Sequence, residues 1–202
     1  MLNAKSVVAL AALSVHTAWA SNLWLSPNGY SGLGMVPTAK VLDAGVVTLA
    51  TDPNVPGTGN TSGRSTNVGF GLTPGLELVG RLATNDAKCN MFRAGDCPQD
   101  MIRDFSASFK WAPQIDWLRE QKINVALGAT DLGGAATYFR SYYAVASKDI
   151  GRNLELRLGA AQAPSERAYL QGAMGALSWR PAPWSEISIQ RAGETTSAHM
   201  GL

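Results

Sequence analysis

Histidine and cysteine are scarce in this chain, and long apolar runs are missing from most of it. The 202 residues contain two histidines and two cysteines. Beyond the N-terminal leader, Gly, Pro or a charged residue interrupts every apolar run before it reaches about 20 residues, the length of a membrane-spanning helix. A helical membrane protein is therefore excluded. A soluble exported domain and a β-barrel, whose strands carry only an alternating signal, both stay open.

The shortage of histidine limits the enzyme classes. His16 lies in the leader, so His199 is the one histidine expected in the mature chain. Ser-His-Asp or Cys-His catalysis would have to use that residue, and a His-based metal site would lack its usual partners. GLGMVPTAK (Gly32 to Lys40) has no Gly-Lys-Ser/Thr ending, so a phosphate loop is not predicted. We predict no metal and no cofactor.

Paired carboxylates are the remaining enzymatic option, because glycoside hydrolysis needs only two of them at a fixed separation. Glu77, Asp131, Glu155 and Glu166 are available, but no spacing singles out a pair. A glycan-modifying hydrolase is therefore the weakest of the functions considered, and we predict that the protein is not an enzyme.

Charge of one sign is not concentrated anywhere. The formal net charge is +2 at pH 7, and cations and anions are interspersed without a basic block. A nucleic-acid partner is therefore not predicted.

The first twenty residues, MLNAKSVVALAALSVHTAWA, have the pattern of a secretory signal peptide. Lys5 precedes an apolar run from Val7 to Val15, and Ala18-Trp19-Ala20 is a small-x-small cleavage site. Ser21 stands after the expected cut where a lipoprotein would have Cys. We expect cleavage of residues 1–20 and a single mature domain over 21–202.

Cys89 and Cys97 lie in a polar stretch, KCNMFRAGDCPQD. In an exported protein this pair predicts a disulfide that closes a small loop. A metal or redox pair would need further ligands or a C-x-x-C spacing, and the stretch has neither.

From Gly45 onward, apolar residues recur at every second position. Ile123, Val125 and Leu127 are one such set, and turn formers such as Thr73-Pro74-Gly75 separate the sets. This pattern predicts an all-β fold, an antiparallel meander of about eight to ten strands. A helix fits only around Ile115 to Gln121.

Charged or small residues occupy the positions opposite these apolar ones, which fits both a soluble sandwich and a membrane barrel. Glycines inside the strands favour the barrel, because they permit the bends of a small closed sheet. Aromatic residues near the predicted strand ends also favour it, as an interfacial girdle. These are Trp24, Tyr30, Trp111, Trp117, Tyr138, Tyr142, Tyr143, Trp179 and Trp184.

Three stretches together resemble the YjbH family of exopolysaccharide-associated outer-membrane proteins. GYSGLGMVPTAKVLDAGVVTLA (Gly29 to Ala50) resembles its N-terminal signature. LGATDLGGAATYFRSYYAVASK (Leu127 to Lys148) has its Asp-Leu-Gly-Gly, aromatic and Val-Ala-Ser-Lys order. YLQGAMGALSWRPAPW (Tyr169 to Trp184) is similar to its next hairpin. The resemblance runs from about Gly29 to Ile189.

The resemblance implies an outer-membrane β-barrel, complete or incomplete, that assists exopolysaccharide production or export without catalysis. Its expected location is the outer membrane of a Gram-negative bacterium. Its expected partners are polysaccharide, outer-membrane lipid and other exopolysaccharide-secretion proteins. The rival interpretation is a soluble periplasmic or surface β-sandwich that binds carbohydrate or a protein. Family members are typically longer, and QRAGETTSAHMGL after Ile189 does not continue the strand pattern, so we expect an irregular tail over about 191–202.

Within a barrel, the alternation predicts a lumen whose polar side chains contact saccharide. Carboxylates and cations would bind hydroxyls and acidic sugars, and tyrosines would offer stacking faces. The predicted saccharide contacts are Glu77, Arg81, Lys110, Tyr138, Arg140, Tyr142, Glu155 and Arg157. Asp131 is predicted to cap a turn or to face the lumen.

Overall fold

A computed structural model describes residues 23–52, 64–84, 103–133, 139–165, 168 and 170–201. The predicted signal peptide and the predicted Cys89–Cys97 disulfide lie outside these residues, and so do Tyr138 and Glu166. The strands are β1 Val47–Asp52, β2 Arg64–Thr73, β3 Leu76–Thr84, β4 Arg103–Trp111, β5 Ile123–Leu132, β6 Ser141–Ile150, β7 Leu154–Gln162, β8 Gly172–Ala182, β9 Ser185–Ala192 and β10 Thr195–Gly201. One short helix, α1 Asp116–Glu120, joins β4 to β5.

The strands form one antiparallel sheet in which each strand pairs with the next along the chain. This confirms the predicted all-β meander, and its ten strands lie at the upper end of the expected number. β1 and β10 are the sheet edges, and no Cα of one lies within 8 Å of a Cα of the other. The described strands therefore form an open sheet, neither a closed barrel nor two face-to-face sheets.

The two ends of the sheet differ in their connections. At one end the connections are the short turns at 74–75, 151–153 and 183–184, together with α1. We call this the short-turn end. The connections at the opposite end are 53–63, 85–102, 133–140 and 163–171, each longer than those three turns, together with the two-residue turn at 193–194.

The helix α1 lies where the sequence predicted one. It has five residues and no buried side chain. No helix within the described ranges is long and apolar enough to cross a membrane.

The two faces of the sheet have the opposite polarity to those of a water-soluble protein. On the outer face, large apolar side chains are exposed, including Leu49 at 72% and Ile189 at 62%. On the inner face, charged side chains are buried, including Lys110 at 1% and Arg157 at 0%. Exposed apolar surface of this extent is unfavourable in water.

Four tryptophans gather at the short-turn end with their side chains exposed: Trp111, Trp117, Trp179 and Trp184. Indole rings of this kind suit a membrane interface. Two members of the predicted girdle lie elsewhere, because Tyr30 and Tyr143 are buried inside, with ring centroids 6.0 Å apart. For these two tyrosines the girdle prediction is wrong.

The C-terminal tail also differs from the prediction. Residues 195–201 form β10, which pairs with β9 from Thr195–Ala192 to Gly201–Glu186. The sequence QRAGETTSAHMGL carries few large apolar residues, but Gly193 adopts a φ of 55° in the turn, and this allows the hairpin to form.

Candidate functional site

The concave inner face of the sheet is filled by residues 23–44, which we call the inner segment. Leu25 pairs with Ser31 in an isolated antiparallel bridge, so the segment folds back on itself. Tyr30 lies at its centre and donates a hydrogen bond from its hydroxyl to the carbonyl of Met35 at 2.5 Å. Burial, the largest cause, raises the pKa of Tyr30 to about 12, although Asn28, Ser26 and Arg81 lower it. The phenol therefore stays protonated and keeps its donor.

Glu77 on β3 and Lys110 on β4 hold the inner segment by its backbone. The two Glu77 carboxylate oxygens accept the N–H groups of Ser31 at 3.1 Å and Leu42 at 3.0 Å. Lys110 donates from Nζ to the carbonyl of Thr38 at 3.1 Å and to the side chain of Ser31. Its Nζ also lies 3.6 Å from Glu77, so the pair is neutral overall. Backbone groups that would otherwise be buried without partners are thereby satisfied.

Gln190 on β9 holds the next part of the segment. Its Oε1 accepts the backbone N–H groups of Met35 and Val36, each at 2.7 Å, and its Nε2 donates to the carbonyl of Leu33. An amide side chain offers both acceptor and donor groups, which suits it to bind an irregular backbone.

A larger network of buried charges lies beneath residues 36–40. Arg157 on β7 donates to Glu155 at 3.0 Å, to Glu186 at 2.8 Å and to the carbonyl of Val36 at 3.3 Å. Arg180 on β8 bridges the same two glutamates at 2.7 Å and 3.1 Å. The hydroxyl of Thr38 completes the network by donating to Glu155 at 2.7 Å. Glu186 has two cationic partners and Glu155 has three, because Lys40 also lies 3.5 Å from Glu155, and these pairs offset the cost of burying the carboxylates.

Arg81 and Asp131 form a second ion pair farther from the short-turn end. Arg81 Nη2 lies 2.9 Å from Asp131 Oδ1, and the guanidinium stands 5.7 Å from the ring centroid of Phe139. The other oxygen of Asp131 accepts the backbone N–H of Phe139 at 3.0 Å. Asp131 thus faces the interior and also caps the β5–β6 connection, as the sequence predicted.

The structure brings most of the predicted saccharide contacts to the inner face. Buried there are Glu77, Arg81, Lys110, Glu155 and Arg157. They have protein partners, so saccharide contact by these side chains stays a prediction that requires the inner segment to move.

Arg140 and Tyr142 do not join this buried set. Arg140 is half-buried, and its Nε makes no hydrogen bond with the described residues. Tyr142 is 51% exposed on the outer face, where it pairs with Ala129 and Gln162. The prediction that Tyr142 faces the lumen is wrong, because β6 turns Tyr143 inward and Tyr142 outward.

Sequence reasoning missed several residues that hold the inner segment. They are Thr38, Lys40, Ser147, Arg180, Glu186 and Gln190. A usable signal exists on β9, where Glu186, Ser188 and Gln190 alternate with the outward Ile187 and Ile189.

The carboxylates that the sequence offered for acid–base chemistry are paired with cations where the structure describes them. Glu77, Asp131 and Glu155 are each engaged by a cation. Among the described residues no group of three or more His, Cys, Asp and Glu side chains could hold a metal ion.

Comparison with models of known protein families assigns the chain to a family. The family model YjbH, described as exopolysaccharide biosynthesis protein YbjH, matches residues 25–187. The chain belongs to the YjbH family. The matched range includes most of the inner segment and the strands from β1 into β9, so the family match and the fold refer to the same part of the molecule. Membership in the YjbH family indicates involvement in exopolysaccharide biosynthesis. No curated protein and no solved structure gives a significant match.

Proposed function

We propose that this YjbH-family chain is a non-catalytic component of the outer membrane, of the β-barrel type, that assists the production or export of exopolysaccharide. The observation that carries the proposal is the polarity of the sheet, with exposed Leu, Ile, Phe and Trp outside and buried charges inside. A transmembrane barrel has this distribution, because its outer face contacts lipid and its lumen is polar.

The four exposed tryptophans at the short-turn end support the same proposal. Trp111 and Trp179 lie on the outer face near strand ends, and Trp117 and Trp184 lie in the adjoining connections. Aromatic girdles of outer-membrane barrels lie at the interfaces, and short turns face the periplasm. The short-turn end would therefore face the periplasm.

The open sheet adds a requirement. Among the described strands, β1 and β10 each pair with one neighbour only, and within a bilayer the outer edge of each strand would need hydrogen-bonding partners. We therefore include partner strands in the proposal, with other exopolysaccharide-secretion proteins as their source.

Fractionation of cells that express the chain tests the location. We expect the protein in the outer membrane, dependent on detergent for extraction, with a mobility in gels that changes on heating. A soluble periplasmic protein fractionated in parallel is the control. Recovery of the chain together with that control would contradict the proposal.

Measurement of the exopolysaccharide outside the cell tests the proposed role in its production or export. Removal of the gene should lower the amount of exopolysaccharide outside the cell, and the intact gene should restore it. As a check on catalysis, isolated protein incubated with the polymer should leave its chain length unchanged. Shortening of the polymer that disappears when Glu155 or Glu77 is replaced would favour a hydrolase instead.

A further inference from the structure

A groove of about 470 Å³ lies on the outer face of the sheet, over β5, β6 and β7. We call it the outer groove. Every residue in its lining is apolar, and the side chains that form it include Val125, Leu127, Ala144, Ala146, Leu158 and Ala160. Its volume lies in the range typical of pockets for small organic ligands.

Two alanines of β6 form the floor of the outer groove. Ala146 pairs with Val125 on β5 and with Leu158 on β7. Ala144 pairs with Leu127 on β5. Larger side chains therefore stand on both sides of a strand whose own outward groups are methyls, and neighbouring strands lie about 4.8 Å apart. A depression one strand wide suits an extended hydrocarbon chain.

Three exposed cations lie at the short-turn end of the same strands: Lys122, Lys148 and Arg152. Lys148 is the next outward residue of β6 after Ala146, about 7 Å farther along the strand. Lys122 immediately precedes β5, and Arg152 lies in the turn between β6 and β7. With the described residues, none of the three side chains forms an ion pair or a hydrogen bond.

The carboxylates of this region leave these cations in excess. Asp149 on β6 pairs with Lys40 of the inner segment at 2.7 Å, and Asp116 on α1 lies 3.9 Å from Arg119. Among the described carboxylates of α1 and of β5 to β7, Glu120 alone has no ion pair. Three unpaired cations thus stand against one unpaired carboxylate, and the short-turn end of the outer groove is positive.

We propose that the outer groove binds one anionic phospholipid, with an acyl chain along the alanine floor and the headgroup phosphate on Lys148, Lys122 and Arg152. A phospholipid supplies both parts that the surface calls for, hydrocarbon for the groove and a negative charge for the basic residues at its end. This inference rests on the proposed function, because that function places the outer face in a bilayer. The lipid would lie in the leaflet that faces the periplasm.

Lipid binding to the full chain in a nonionic detergent tests the inference. Native mass spectrometry counts the lipids that each protein retains. The probes are dioleoyl phosphatidylglycerol, which is anionic, and dioleoyl phosphatidylcholine, which has the same acyl chains and no net charge. We expect the first phosphatidylglycerol to bind roughly tenfold more tightly than phosphatidylcholine. Equal binding of the two lipids, or binding of neither, would overturn the inference.

A double variant and a matched control locate the headgroup. Lys148→Gln combined with Arg152→Gln should remove the preference for phosphatidylglycerol and leave the affinity for phosphatidylcholine unchanged. Arg191→Gln removes an exposed cation of β9 at the opposite end of the sheet and should change neither affinity. An equal loss of preference with Arg191→Gln would show attraction by net charge alone and overturn the site.

A second variant locates the acyl chain. Ala146→Phe fills the outer groove and should weaken the binding of both lipids roughly tenfold. Ala198→Phe, at an exposed position on β10, is the control and should change neither affinity. Wild-type affinities in Ala146→Phe would overturn the groove as the lipid site. Protein dimers that form in place of lipid complexes, and disappear with Ala146→Phe, would assign the groove to a second copy of the chain and also overturn the inference. The double variant alters only exposed side chains, so it decides alone if Ala146→Phe does not fold.

Fractionation separates this inference from the proposed function. If the chain is recovered in the outer membrane but binds the two lipids equally in detergent, the inference fails alone. If the chain is recovered with the soluble periplasmic control and still prefers phosphatidylglycerol, the proposed function fails and the outer groove stands as a lipid-binding site.

Discussion

Gln190 and Met35 are 155 residues apart in sequence, and the side chain of one accepts the backbone N–H of the other at 2.7 Å. The same amide oxygen accepts the N–H of Val36. One buried side chain on β9 thus supplies the acceptor for two adjacent backbone groups of the inner segment.

Replacement of this amide should loosen the inner segment. Gln190→Leu leaves two buried N–H groups without their acceptor, and each such loss costs about 1–3 kcal/mol. Hydrogen exchange at Met35 and Val36 should become much faster. Arg191→Leu, one residue later on the exposed face, is the control and should leave these amides protected. Unchanged exchange in Gln190→Leu would contradict the assigned contact.

The charge network beneath residues 36–40 should respond strongly to loss of its central cation. Arg157→Met leaves Glu155 and Glu186 buried with fewer partners, and breaking a buried pair in this way lowers the free energy of unfolding by about 3–5 kcal/mol. Denaturant titration in detergent measures the change. Lys148→Met removes an exposed cation from the adjacent β6 and should have little effect. Similar losses in the two variants would argue against the network as a support of the inner segment.

Gly34 and Gly45 form a matched pair for the packing of the inner segment. Their φ angles are 80° and 81°, so alanine is strained at both, by roughly 1–2 kcal/mol. At Gly45 an added Cβ meets nothing within 4 Å, whereas at Gly34 it would lie 2.3 Å from the His199 ring. Gly34→Ala should therefore destabilise the protein more than Gly45→Ala in the same titration.

A double substitution separates the clash from the backbone strain at Gly34. His199→Ala removes the ring, so Gly34→Ala should lower the free energy of unfolding by less in that background. If the loss is the same with and without His199, the inner segment does not pack against β10 in the way described.

The outer face offers a test of the lipid contact. Leu177 lies near the middle of β8 and is 47% exposed. Leu177→Arg should lower the free energy of unfolding in bilayers by about 2–4 kcal/mol, because a cation then faces the lipid midplane. Gln162→Arg, at the exposed end of β7, should be nearly neutral. If Leu177→Arg is also neutral, the outer face is not in contact with lipid.

Period-two alternation was enough to predict the meander, because each strand has its own turn signal and its own apolar face. Leu127 and Leu177 face outward as members of such sets. Tyr142 and Tyr143, which are adjacent on β6, gave no such indication, because a tyrosine ring can lie on either face of the sheet. The pairing of Tyr142 with Ala129 and Gln162 places that ring outside, and this register depends on two neighbouring strands. β10 was missed because its outward residues, Thr196, Ala198 and Met200, include only one large apolar side chain.

The amino-acid sequence by itself therefore determined most of the strand pattern, the separation of apolar from polar side chains onto opposite faces, and the family, because all three follow from residues close together in the chain. Only the tertiary structure decided what fills the inner face. Ser31 meets Glu77, Thr38 meets Glu155, and Met35 meets Gln190 across long separations in sequence. Hydrogen bonds between distant residues produce no periodic pattern in the sequence. A charged residue at an inward position gives the same sequence pattern whether its side chain contacts water, sugar or backbone.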